Sequence, residues 1–297
     1  MSRAGFVGLA GRPNVGKSTL VNALVGGHVA IVSDRPQTTR RAVRGIATDT
    51  SAGWQLVLTD LPGVQRPRDE LTRRMQSRVE REISDSDVVL FVVNADQGIG
   101  PGDRFIAKAL LEANSGTPVI CAVNKADRIG HAELVPVLSD AAKLEVVDEI
   151  FPISAKTGEG LGPLVGRLAE LVPEGPMLYP PDQTSDQPSE IALAELIREQ
   201  VLHRTRDELP HAVEVQVEEI SSVEEGQVVV TALVWAESDS QKAILIGKQG
   251  QKIKEIGTAA RPELEREIGS PVYLDLRVRV RERWRRDEGL LDRLGID

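Results

Sequence analysis

The hydrophobic pattern along this chain changes character once. From Gly5 to Leu171, short β-branched runs alternate with longer segments of helical character, the pattern of a parallel sheet wrapped by helices. Phe6–Ala10, Trp54–Thr59, Asp87–Val93, Pro118–Val123 and Ile150–Ile153 are the predicted strands. Their apolar residues fall on successive positions, so both faces of each strand are expected to be buried. Between Val172 and Ser189 the pattern stops at Pro173, Pro176, Pro180, Pro181 and Pro188 among polar residues, which reads as a linker. Beyond it, Ile191–Arg204 reads as a helix whose stripe of Ile191, Leu193, Leu196, Ile197 and Leu202 is expected to pack on a sheet. His211–Ile220 and Gly226–Ala236 read as alternating strands separated by the turn Glu224-Glu225-Gly226, with Glu208-Leu209-Pro210 marking the turn into the first. Two helical segments then meet around Gly247–Gly250, and Val272–Val280 is a last strand. The expected organisation is a domain over 1–172, a linker over 173–188 and a second domain over 189–297.

Length and composition agree with two soluble domains: 297 residues, 41% hydrophobic and 27% charged. The longest strongly apolar stretch, Val88 to Val93, is too short to cross a bilayer, and the first twenty residues lack the order of a signal peptide, so the chain is expected in the cytoplasm. The single cysteine, Cys121, sits in the apolar run Val119–Val123 and is expected in the core. His28, His131, His203 and His211 lack the spacing that puts two imidazoles on one metal, so no zinc site is expected. Net charge is −9, but Gln241–Arg286 holds twelve Lys and Arg against six Asp and Glu, a local +6 against −15 elsewhere. An acidic body with a basic end keeps nucleic acid open as a partner.

The chemistry begins at Gly11-Arg12-Pro13-Asn14-Val15-Gly16-Lys17-Ser18, a G-x-x-x-x-G-K-[ST] loop between an apolar strand and the helical segment Thr19–Val25. Its glycines let backbone N–H groups turn toward phosphate oxygens, and the helix N-terminus adds a positive dipole. Lys17 brings a point charge to the β- and γ-phosphates, and the Ser18 hydroxyl is a Mg²⁺ ligand. Asn124-Lys125-Ala126-Asp127 follows a predicted central strand, where an open α/β sheet binds its ligand. A carboxylate at Asp127 accepts from the N1–H and 2-amino groups of guanine; adenine offers no such donor pair. That selects GTP and GDP over the adenine nucleotides. Asp60-Leu61-Pro62-Gly63 ends another strand, with Asp60 placed to hold Mg²⁺ through water and Gly63 freeing the backbone to meet the γ-phosphate. Thr38 and Thr39 lie in the turn-rich stretch Ser33–Arg41, and Thr39 is the preferred third group for the Mg²⁺ shell. Ser154-Ala155-Lys156 closes the last strand and is a candidate contact to the base. Lys17, Thr39 and Gly63 are the groups expected to act on the reacting phosphate.

These five elements resemble a translation-factor-class GTPase, and Gly11–Ser18, Gln37-Thr38-Thr39-Arg40 and Asp60–Gly63 resemble the Era family. Family members usually carry Asp-Thr-Pro-Gly, so Leu61 is a small departure. Val64 stands where Ras-like GTPases orient the attacking water with glutamine, and the Era family is similar in having an apolar residue there; Gln65 is one residue out of register. The resemblance also implies, at Asn14, a residue that in related families helps hold K⁺ beside the phosphates.

In the basic half, Ile244-Leu245-Ile246-Gly247-Lys248-Gln249-Gly250-Gln251-Lys252-Ile253 reads as a helix end, a G-x-x-G loop and a second helix, the device by which a KH domain grips RNA. Ile246, Gly247, Lys248, Gln249, Gly250, Lys252 and Lys254 are the candidate RNA contacts, the lysines neutralising phosphates. Arg277, Arg279, Arg281 and Arg283 alternate with valines, so one face of the last strand presents arginines; Arg277 and Arg279 join the RNA candidates, although a solvated strand face reads equally well. Trp284 reads as core or cap. Gln241-Lys242, Ile256-Gly257, Ala260-Arg261, Glu263–Glu265 and the Val272–Val280 strand resemble the Era-family KH domain, and helix, two strands, two helices, strand is the bacterial KH order.

The expected fold is therefore an α/β P-loop GTPase domain, a mostly parallel sheet with helices on both faces, followed by an α+β KH domain of the bacterial type. The resemblance implies a Mg²⁺-dependent GTPase that binds small-subunit rRNA near its 3′ end and assists assembly of the 30S ribosomal subunit. It further implies peripheral contact with the inner face of the membrane, for which the Arg277–Arg286 stretch is the candidate. A monomer is expected. Two other readings stay open: an RNA-binding module with a structural nucleotide, and a GTPase that docks a protein or membrane partner through its KH fold.

Overall fold

The computed structural model describes residues 2–33, 38–63, 69–113, 116–205, 209–222 and 226–296. The described chain divides into two compact units, with the change at Asp186 to Gln187. In chain order the first unit holds β1 (Arg3–Ala10), α1 (Lys17–Val25), β2 (Val43–Asp49), β3 (Trp54–Asp60), α2 (Glu70–Ser84), β4 (Val88–Asn94) and α3 (Pro101–Ala113). Then come β5 (Val119–Asn124), α4 (His131–Ala141), β6 (Glu149–Pro152) and α5 (Leu161–Leu171).

Among the described residues the six strands form one sheet in the order β2-β3-β1-β4-β5-β6. All neighbours pair in parallel except β2 with β3. The continuous apolar runs fit their burial: every residue of β4 is buried, as is every residue of β5. One side of the sheet packs Leu20, Val21, Leu164 and Leu168; the other packs Ile106, Leu110 and Leu134. Each such side chain contributes about 1.5–3 kcal/mol of transfer free energy. Cys121 lies in this core, and burial, with the Asp103 carboxylate second, pushes its thiol up to about 12. Parallel pairing brings the C-terminal ends of β1, β3, β5 and β6 to one edge, and Gly11, Asp60, Asn124 and Ser154 stand there.

Strand β2 was not anticipated from the sequence. Val43-Arg44-Gly45-Ile46-Ala47-Thr48-Asp49 mixes polar residues and a glycine, without a two-sided apolar run. Gly45 is required by packing, because a Cβ there would stand 2.7 Å from Val21 Cγ1. The outer edge of β2 is covered by the proline-rich stretch expected as a linker. Ile46 N–H donates to Thr184 O at 2.8 Å, and the Ser185 hydroxyl to Arg44 O at 2.8 Å. The buried Gln55 amide of β3 accepts from Leu178 N–H at 2.7 Å and Tyr179 N–H at 2.9 Å, and donates to Tyr179 O at 3.0 Å. Residues 173–186 are thus a strap on the first unit, satisfying backbone groups that an open sheet edge would leave to water.

The second unit continues with α6 (Ser189–Arg204), α7 (Leu209–Ala212), β7 (Glu214–Ser222), β8 (Val228–Ala236), α8 (Asp239–Ile246), α9 (Gln251–Ile268), β9 (Val272–Val280) and α10 (Glu288–Arg293). Its sheet runs β7-β8-β9, antiparallel then parallel. The stripe of α6 buries Leu193, Leu196 and Ile197 against Val215, Val230 and Val234 of the sheet and Ile256, Ala260 and Leu264 of α9. Trp284 is fully buried and donates from Nε1 to Ala212 O at 2.8 Å, as core rather than as a surface ring. Among the described residues, no helix is long and apolar enough to cross a membrane.

Candidate functional site

The phosphate loop is held by contacts that its sequence pattern only hints at. Gly11 has φ 154, and a Cβ there would lie 2.4 Å from Val92 O of β4. Gly16 has φ 99, and its Cβ would lie 2.4 Å from Asn124 Nδ2. Both positions combine a positive φ with no room, so only glycine fits. Asn14 also takes a left-handed conformation, φ 63, and its carbonyl accepts from Lys125 Nζ at 2.7 Å. Asn124 itself is nearly fully buried: Nδ2 donates to Val15 O at 2.9 Å, while Oδ1 accepts from Lys125 N–H at 2.8 Å and Ala155 N–H at 3.0 Å. One amide therefore ties three of the sequence motifs together. Its bonds go to protein backbone, so this residue braces the nucleotide site.

Lys17 is buried, with Nζ donating to Gly11 O at 3.1 Å and Arg12 O at 3.2 Å. Burial pushes its ammonium below the ordinary lysine range, partly offset by the Asp60 carboxylate. The three expected metal residues converge. The Ser18 hydroxyl donates to Asp60 Oδ2 at 2.6 Å, the Thr39 hydroxyl to the same oxygen at 3.1 Å, and the two hydroxyls stand 3.2 Å apart. Three hard oxygen donors, one a buried carboxylate, suit Mg²⁺ by chemistry and count. Leu61 is fully buried, and Pro62 is buried beside it. A Cβ on Gly63 would stand 2.7 Å from Pro13 Cγ and 2.8 Å from its nitrogen, so this loop approaches the phosphate loop closely. Thr19 is half-buried in the first turn of α1. Ser154 is buried, its Oγ accepting from Thr157 N–H at 3.1 Å; Asp127 and Lys156 are exposed, open to a base. Gln37, Val64 and Gln65 lie outside the described residues, as do Glu208, Glu224 and Glu225. Sequence reasoning missed Asp103, whose carboxylate meets Arg12 at 2.8 Å across 91 positions, a separation that no local motif signals.

In the second unit, Gly247 caps α8 with φ 72, donating to Ala243 O at 2.9 Å. A Cβ there would press on Lys252 Cβ at 2.6 Å. Gly250 has φ 76 and nothing within 4 Å of where its Cβ would stand. Gln249 also lies in the left-handed region, at φ 51. The loop is thus a tight turn with an open side. Lys248 and Lys254 are exposed, and Lys252 pairs with Glu255 at 3.1 Å. That surface pair is worth about 0.2–1 kcal/mol, little enough for a phosphate to displace. Ile246 and Ile253 are half-buried, and Ile244, 58% exposed, is an apolar neighbour that motif reasoning did not single out.

Arg277 and Arg279 are not brought to this loop. In β9, Leu274, Leu276 and Val278 pack on the core, so the alternating Arg277 and Arg279 project from the opposite side of the sheet, away from the helices that the loop joins. Arg277 is also held by Asp275 at 2.5 Å. Arg281 pairs with Asp287, and Arg285 with Glu237 at 3.0 Å, so the arginine-rich stretch carries less uncompensated charge than its spelling suggests.

Comparison with known proteins gives a consistent match to both units. A family model described as "50S ribosome-binding GTPase" matches residues 6–125, and one described as "KH domain" matches residues 208–285. The chain is similar to GTPase Era of Carboxydothermus hydrogenoformans, 44% identical over 99% of this chain and 98% of the relative. It is 45% identical to GTPase Era of Mycobacterium tuberculosis, over 99% and 98% of the two chains. Among solved structures it matches a variant of Aquifex aeolicus Era bound to GDP·AlF4⁻, with TM-score 0.95, 36% identity and 99% of each chain covered. It also matches Era in complex with MgGDPNP and nucleotides 1506–1542 of 16S ribosomal RNA, with TM-score 0.96, 36% identity, and 100% and 99% covered.

Proposed function

This chain belongs to the Era family of GTPases, and on that premise we propose that it couples GTP hydrolysis to a grip on single-stranded rRNA near the 3′ end of 16S rRNA, assisting 30S subunit assembly and maturation. The observation that carries this reading is a relative alike over the full length that holds both ligands at once, MgGDPNP and a 16S rRNA segment. The local geometry supports it on both sides. Ser18, Thr39 and Asp60 would hold Mg²⁺, whose charge neutralises that of the phosphates. Lys17 supplies the cation for the β- and γ-phosphates, and the backbone freed at Gly63 meets the γ-phosphate as water attacks it. Asp127 reads guanine, Ser154, Ala155 and Lys156 border the base, and Asn124 keeps these loops in register with the phosphate loop. The left-handed Asn14 beside the phosphates is the residue for K⁺; equal rates in Na⁺ and K⁺ buffers would remove that part.

In the second unit the open side of Gly250 is where a sugar-phosphate chain approaches, with Lys248, Lys252 and Lys254 at hand. We place the chain in the cytoplasm as a monomer. Peripheral membrane contact through Arg277–Arg286 finds less support, because Arg277, Arg281 and Arg285 already have acidic partners. The test is binding of a short single-stranded RNA from the 3′ end of 16S rRNA, with GDP and with GDPNP, by the full chain and by Gly250→Asp. Tighter binding with GDPNP that the variant loses is expected. Equal affinity in both nucleotides would overturn the coupling, and absence of binding would overturn the RNA reading.

A further inference from the structure

Arg12 is part of the phosphate loop by its backbone, but its side chain is engaged with α3. Nε donates to Asp103 Oδ1 at 2.8 Å, and Asp103, in the first turn of that helix, is fully buried. Its other oxygen accepts from Gly100 N–H at 2.9 Å. A carboxylate without solvent is tolerated only where a cation or donors meet it, so losing either partner of this pair alone would be costly. At the other end, the Arg12 carbonyl is one of the two acceptors that seat Lys17 Nζ, at 3.2 Å. The approach is tight: a Cβ on Gly102 would stand 2.6 Å from Arg12 Cδ. A continuous path therefore runs from the first turn of α3 through Asp103 and the Arg12 side chain to the carbonyl against which Lys17 rests.

We infer that Asp103 is a positioning residue for GTP hydrolysis: through Arg12 it holds the first turn of the phosphate loop, and with it the Lys17 ammonium, where charge develops on the transferred phosphoryl group. Neither Asp103 nor the Arg12 guanidinium touches a reacting atom. The effect lies in where Lys17 sits, so it is felt in turnover more than in the affinity for GDP, which lacks the γ-phosphate. The inference rests on Lys17 being the phosphate cation.

Arg12→Ala alone would strand a buried carboxylate and confuse stability with catalysis. The test is the double variant Arg12→Met/Asp103→Leu in the full chain, which removes both charges together, with Arg12→Lys beside it. The lysine ammonium lies one bond beyond the position of Nε and reaches the same oxygen. The double variant is expected to keep its thermal midpoint and its GDP affinity within about threefold, while kcat falls about tenfold; Arg12→Lys stays within about threefold of wild type. Should the double variant not fold, Gly102→Ala carries the same expectation, since it crowds the Arg12 arm while favouring the helix. Unchanged kcat, a loss of kcat matched by loss of GDP affinity, or an Arg12→Lys as slow as the double variant would overturn the inference. Lys17→Met is run alongside: wild-type hydrolysis there would overturn the phosphate reading itself, a failure separate from that of Asp103.

Discussion

Asn124→Ala separates a brace from a ligand contact. The amide is 2% exposed and makes three bonds, to the Val15 carbonyl, the Lys125 N–H and the Ala155 N–H. Truncation leaves three backbone groups without that partner, and each unsatisfied buried group costs about 1–3 kcal/mol. With the freed groups relaxing in part toward water, the loss is roughly 3–5 kcal/mol out of a total of roughly 5–15. For a unit of this size each kcal/mol moves the thermal midpoint by about 2–4 °C, so a fall on the order of 10 °C is expected. The decisive measurement is calorimetry of the nucleotide-free protein, following the transition of the GTPase unit. A residue that only touched nucleotide would leave that transition in place and weaken only the stabilisation by added GDP. A midpoint within about 2 °C of wild type in the absence of nucleotide would refute the bracing role.

Two further outcomes follow from the packing and the electrostatics. Trp284→Ala should cost about 3–5 kcal/mol in the KH unit, since it removes a fully buried ring and its bond to Ala212 O; a cooperative KH transition unchanged in urea would contradict this. The depressed Lys17 makes binding proton-linked. Because its folded pKa lies below the ordinary lysine value, the nucleotide-free protein gains stability as pH rises through that depressed value toward 10.5, where the unfolded chain binds the extra proton. Phosphates restore the charge, so GDP binding should take up protons in this alkaline window, read by titration calorimetry in buffers of different ionisation enthalpy and absent in Lys17→Met.

What was legible in the sequence was the part that chemistry ties to local spacing. A phosphate loop needs its glycines, lysine and serine within eight positions, and strands buried on both faces need consecutive apolar residues, so β1, β3, β4, β5 and the Gly11–Ser18 loop could be read from the chain. Likewise, a helix stripe and alternating strands announced the second unit, and Trp284 read as core or cap, of which the structure shows core. Tertiary structure decided what depends on residues far apart in the chain. Strand β2 exists because its edges are satisfied by β3 on one side and by Thr184 and Ser185 on the other, and a half-polar segment carries no sign of such neighbours. Asn124 is legible as part of the Asn-Lys-Ala-Asp motif, but nothing in its spelling shows that its amide also bonds Val15 and Ala155, far away in the chain. Arg277 and Arg279 read as a basic stripe until β9 turns them away from the loop. The Arg12–Asp103 pair spans 91 positions, and buried charges find their partners through folding, so only the fold could disclose it.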